Sequence, residues 1–171
     1  MTMYHALEHV EDPTAILSRL RDWTVEGGVL LVEVPNVEAA CIAPEHRFHF
    51  AHFYNFNRDA LEGLGRKAGF EPVETTTSPD GGNLMSVFRA AHPKPALSGV
   101  EAPPHFDAAN YARVAGVVKT HTSWNYYSSV SPYAGPLNRL RTYLSDRRAA
   151  HGCETPKQVL DKLIEAHVYS R

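Results

Sequence analysis

His5, Glu8 and His9 place two imidazoles and a carboxylate close together near the start of the chain. Near pH 7 a histidine can take a proton from an oxygen or nitrogen nucleophile, which makes His9 the candidate general base. The same residues can instead brace their own loop and never meet a substrate, and both readings stand at this level. His46, His49 and His52 recur at every third position. Such a set splays around a helix or alternates faces on a strand, and no cysteine or carboxylate stands at a familiar zinc spacing. No metal is therefore expected. Substrate contact by one of these histidines is the better reading, set against packing or capping within the loop. Asn36 directly follows an apolar run and either faces the same cleft or forms the turn after Pro35. Gly63 and Gly65 lie inside a helical pattern and Gly81-Gly82 in a hairpin turn, so neither pair is a phosphate loop.

The elements that must position these residues can be read in order. Asp12 suits a helix cap and Pro13 a first turn. Ile16, Leu17, Leu20 and Trp23 recur at helical spacing and predict one apolar face. Gly27-Gly28 predicts the helix stop. Val29 to Val34 predicts a strand buried on both faces of a parallel sheet, ended by Pro35. This order puts Tyr4 to His9 at the carboxyl end of one strand and Asn36 at the end of the next, where doubly wound α/β folds hold their ligands. Residues 37–56 form a connection rich in aromatics and histidine, of a length that is usually functional or partly structured. Asn57 caps an amphipathic helix bearing Leu61, Leu64 and Ala68, which Gly69 stops. Ser78 to Gly82 is a turn by composition, and Asn83 to Arg89 predicts a last, antiparallel strand.

The run Tyr4-His5-Ala6-Leu7-Glu8-His9-Val10-Glu11-Asp12-Pro13, with Gly27-Gly28 and the Val-Glu-Val-Pro-Asn strand, resembles the second half of a class I S-adenosylmethionine-dependent methyltransferase. The likeness is to the group with a Leu-Glu-His motif after the fourth strand, and it runs from Met1 to about Ala90. It implies a partial doubly wound, Rossmann-like α/β sheet, in which Phe70 to Thr77 fits the sixth strand, and S-adenosylmethionine as cofactor. It implies that Tyr4, His5 and Leu7 border that cofactor. Glu8 and His9 would border the reacting groups, and Asn36 and His52 would meet a small polar substrate, His52 because its segment matches the family's loop over the site. The glycine-rich loop and ribose-binding acid of the family are not among these residues, so weak cofactor binding by this chain alone is expected. The rival expectation is a non-catalytic remnant acting as a binding or assembly module.

The 171 residues are 43% hydrophobic and 21% charged, as for an ordinary globular protein. A net charge of -2 gives no electrostatic reason for nucleic acid or an anionic membrane as partner. No apolar run approaches a membrane span, and a cytoplasmic protein is expected. Cys41 and Cys153 predict free thiols before a disulfide. The domain reading is a sheet domain over 1–90, a proline-rich linker over 91–106, and a helical extension over 107–171 packed on the sheet domain. In the extension, Ala108 to Lys119 and Pro136 to Ala150 predict helices, with a third after Thr155-Pro156 and an aromatic loop over Ser123 to Ser129. The resemblance further implies that the Met1 to Leu7 strand presents an unpaired edge, to a homodimer or a missing-half partner.

Overall fold

The computed structural model describes residues 1–91, 108–153, 155, 157 and 158. Met1–Ser129 and Val130–Arg171 are two separate compact units. The first unit is mixed α/β, as the sequence predicts. Its strands are β1 (Thr2–Tyr4), β2 (Val29–Pro35), β3 (Phe70–Thr77) and β4 (Asn83–Ala90), and its helices are α1 (Pro13–Trp23), α2 (Arg58–Lys67), α3 (Ala108–Thr120) and α4 (Ser123–Tyr127). The sheet order is β1-β2-β4-β3. β1 runs parallel to β2, Met3 opposite Val32, and β4 is antiparallel to both β2 and β3.

Caps and stops explain the helix limits. The Asp12 carboxylate accepts from Ala15 N at 2.8 Å and the Asn57 side chain from Ala60 N at 3.0 Å, each satisfying a free first-turn donor. Gly69, just after the α2 cap, takes φ +89°, a left-handed turn that favours glycine. α1 ends before the glycine pair, because Thr24 turns extended and its hydroxyl takes the Leu20 carbonyl. Gly27 then turns the chain into β2.

One core lies on one face of the sheet. Leu30, Val32 and Val34 of β2 meet Leu84 and Phe88 of β4, Leu17 of α1 and Leu61 of α2 there, with Leu7 and Phe70. β2 alternates between buried and half-buried positions, which corrects the expectation of burial on both faces. The cause is its antiparallel neighbour: both helices cover a single face, and Glu33 and Met85 occupy the other. Trp23 is also corrected. It lies off the apolar face of α1 and is exposed, whereas Arg21 is buried. The Arg21 guanidinium donates to the carbonyls of Gly69, Thr24 and Ala91, tying the helix end to the strand ends.

The aromatic segment Ser123 to Ser129 is a short helix, α4, rather than a loop, capped by the Thr122 hydroxyl on Asn125 N. Within this unit Arg113 of α3 binds Glu38 and Asp59, each at 2.8 Å. Tyr127 of α4 donates to Glu45 at 3.1 Å. The Arg47 guanidinium donates to the Val37 carbonyl and to His121. Tyr111 stays exposed, off the half-buried stripe of Val114 and Val118.

The second unit contains α5 (Ser131–Ala149). It starts five residues before Pro136, which therefore sits inside the helix at the cost of one backbone hydrogen bond. Thr155 and Gln158 exchange capping bonds. Lys157 and Gln158 are helical, whereas Pro156 and residues 159–171, like the expected linker from residue 92 on, lie outside the described residues. Cys41 and Cys153 are both free.

Candidate functional site

Backbone geometry at the end of β1 builds the site. His5 follows the strand with φ +46°, an uncommon conformation for a side-chain-bearing residue. This corner turns the chain out of the sheet and into a 3-10 turn, Leu7–His9. The Leu7 side chain is wholly buried in the core and anchors that turn. Any ligand contact at Leu7 must come from its backbone. Tyr4 remains about half exposed at the sheet edge.

The turn thus fixes Glu8 and His9. Glu8 is only 1% exposed, and among the described residues neither of its carboxylate oxygens has a hydrogen-bond donor. His5 Nδ1 stands 3.4 Å and His9 Nε2 3.9 Å from Glu8 Oε1. The His5 Nε2–H donates to Glu33 Oε1 at 3.2 Å, so His5 spans two carboxylates. His9 Nδ1 meets the Ala51 carbonyl at 2.9 Å. A carbonyl only accepts, so Nδ1 carries a proton, and in the neutral ring Nε2 is the nitrogen with the lone pair.

The 37–56 connection closes over this corner. Phe53 N and Tyr54 N both donate to the Glu8 carbonyl, and the Tyr54 hydroxyl donates to the Glu11 carbonyl. The His52 ring consequently sits 4.8 Å from that of His9 and 4.9 Å from that of His49. Burial pushes the His52 imidazole below its ordinary pKa; the Glu8 carboxylate opposes this, and His9, His49 and His5 reinforce it. Phe48, Phe50 and Phe53 project from the same loop into solvent. His46 is exposed at the end of its own 3-10 turn, apart from the other histidines.

Asn36 does the work of a turn residue. Its Nδ2 donates to Gly81 O and its Oδ1 accepts from Glu38 N, both at 3.0 Å. It also lines, with Arg47, His52, Tyr54 and Asn55, a cavity of about 20 Å³, room for roughly one water. Sequence reading missed Glu33, which links His5 to Asn83 Nδ2 at 3.2 Å. Its signal was present: a lone carboxylate in an otherwise apolar strand. Cys41 is no rival nucleophile, since burial and then the Asp80 charge push its thiol up.

The site therefore gathers His5, Glu8, His9 and His52 at the carboxyl end of β1, with Asn36 at the end of β2. Comparison with known proteins bears on the domain rather than on these residues. No curated protein matches the chain. A solved complex containing the Haloferax volcanii Trm112 methyltransferase activator includes a chain similar in part, at 14% identity and a TM-score of 0.46, the match covering 53% of each chain. This chain thus spans about half the length of that one, and at such similarity function has to be argued from its own residues. Residues 1–75 match the sequence-family model described as a methyltransferase domain, and this stretch holds every candidate site residue named above.

Proposed function

We propose that residues 1–90 form part of the catalytic domain of an S-adenosylmethionine-dependent methyltransferase acting on a small polar substrate. The observation that carries this reading is the coincidence of the methyltransferase-domain match over residues 1–75 with a polar site at the carboxyl end of a parallel strand pair. In this reading Tyr4, His5 and the Leu7 backbone border the cofactor. Glu8, Asn36 and His52 border the substrate, and His9 Nε2 takes the proton from the nucleophile. The phenylalanines of the overlying loop contribute apolar contact, and positioning of the two reactants supplies most of the rate.

Titration with S-adenosylhomocysteine, followed by amide chemical shifts, tests the assignment. We expect shifts concentrated at Tyr4, His5 and Leu7, with a dissociation constant weaker than about 10 µM, because few of the cofactor's polar partners lie in these residues. Absence of any localised shift up to about 5 mM, roughly -3 kcal/mol, rejects the cofactor assignment and favours a non-catalytic binding module.

β1 is an edge strand among the described residues. Met1 and His5 bond to β2 through Leu31 N and Glu33 O, so the intervening Thr2 and Tyr4 turn their backbone groups outward. We propose that this edge receives further strands, from a partner or a second copy of the chain. Light scattering at several concentrations should show association rather than a 19.0 kDa monomer. A monomer whose Thr2 and Tyr4 amides resist hydrogen exchange contradicts this.

A further inference from the structure

The Glu8 carboxylate poses a physical problem that methyl transfer does not solve. A carboxylate this deeply buried, with no hydrogen-bond donor on either oxygen among the described residues, is costly to keep charged. Native proteins offset such a cost with a paired charge or a coordinated cation. Glu8, His9 and His52 each offer one ligand atom, and these three atoms lie within 4.8 Å of one another.

We propose that Glu8, His9 and His52 bind a divalent first-row transition cation, of the class represented by Zn²⁺. Two imidazoles and one carboxylate are a common ligand set for such ions, and they leave coordination positions open for water or substrate. The orientation of His9 fits this role. Its Nδ1–H is held by the Ala51 carbonyl at 2.9 Å, the outer hydrogen bond that fixes a ligating histidine's tautomer and aims Nε2 at the ion. The Nε2 to Glu8 Oε1 separation is 3.9 Å. Ligands about 2.0–2.2 Å from a shared ion stand about 3.3 Å apart, so closure from separations of up to 4.8 Å needs movements of about 0.8 Å per atom or less. His52 rides on the loop that is bonded to the Glu8 carbonyl through Phe53 N and Tyr54 N, so binding would also fasten that loop. His5 lies between Glu8 and Glu33, its Nδ1 3.4 Å from Glu8 Oε1 and its Nε2 3.2 Å from Glu33 Oε1.

The sequence hides this set because its ligands come from two segments. The His46, His49 and His52 spacing points the wrong way: only His52 of that trio belongs. The inference goes beyond the methyltransferase reading and does not depend on it. If that reading also holds, His9 Nε2 would ligate the ion rather than take the proton, and the ion would activate the acceptor group by lowering its pKa.

The test is calorimetric titration of the full 171-residue chain with Zn²⁺ alone, paralleled by visible absorption with Co²⁺. We expect one equivalent bound with a dissociation constant below about 100 µM. Glu8→Gln and His52→Ala should each weaken it by at least about tenfold, whereas His46→Ala should leave it unchanged. Circular dichroism checks that each variant folds. His52 is only partly buried, so His52→Ala keeps the test decisive if Glu8→Gln does not fold. Weaker binding by the unaltered chain, or equal loss in His46→Ala and His52→Ala, overturns the proposal. Because the titration contains only metal, its failure leaves the S-adenosylhomocysteine result standing, and the reverse also holds.

Discussion

Phe88→Ala should destabilise the sheet unit by about 3–5 kcal/mol, the range for emptying a fully buried aromatic site. Phe88 is wholly inaccessible in the core, with its ring 6.1 Å from that of Phe70. It reaches toward α2 at Gly65, where an added Cβ would stand 2.2 Å from the Phe88 Cε1 atom. Helix and sheet therefore meet through one large side chain and one missing side chain. Nothing on α2 at Gly65 can fill the void, so collapse would be incomplete. Urea unfolding followed by circular dichroism measures the loss. A change below about 1 kcal/mol would mean that the helix is not seated on the sheet through this ring.

Glu8→Met should have the opposite sign in metal-free protein, stabilising it by about 1–4 kcal/mol. Replacing a buried charged group with an apolar one of similar volume is often neutral or stabilising by that amount. Methionine has nearly the length of glutamate, and the Glu8 site is 1% exposed with no donor on either oxygen among the described residues. The neighbouring imidazoles of His5 and His9 are nearly half exposed and can be hydrated when the carboxylate is gone. Thermal melts in a chelating buffer read the gain. The same melts with Zn²⁺ should narrow or reverse it, because only the unaltered chain then gains from the ion. A large loss in the chelated variant would show that Glu8 is already well compensated without metal.

Much of the scaffold was legible in local chemistry. Asp12, Asn57 and Gly69 act through their own side chain or backbone within a few residues, and all three mark helix ends where the sequence indicates. β4 was readable for the same reason, as a short run rich in apolar residues after a Ser-Pro-Asp-Gly-Gly turn, whereas the polar β3 was placed only by the family resemblance. Trp23 misled because an aromatic was weighed by its hydrophobicity, while Arg21 won the buried position by reaching three backbone carbonyls. The face-to-face asymmetry of β2 was hidden because an all-apolar strand does not report which neighbour is antiparallel. α4 was missed because a single helical turn held by Thr122 has too little periodicity to read.

The site was legible only where its residues are contiguous. Tyr4 to His9 could be placed at a strand end from the order of elements alone. The approach of His52 to His9 depends on Phe53 and Tyr54 binding the Glu8 carbonyl, a contact with no signature in spacing. Glu33 was visible as an exception in its strand, but its partner His5 lies on another strand.

The 37–56 connection begins and ends at one point. Asn36 and Phe56 form a parallel bridge, and Val37 N donates to the Phe56 carbonyl at 2.8 Å. A loop pinched at its base transmits little of its own length to the sheet, and doubling such a loop costs only about 0.6 kcal/mol in closure entropy. Descendants of this chain can therefore rewrite the residues over the site, by insertion as well as substitution, while the strands below are inherited unchanged. The pinch makes ligand preference and foldability separately heritable traits.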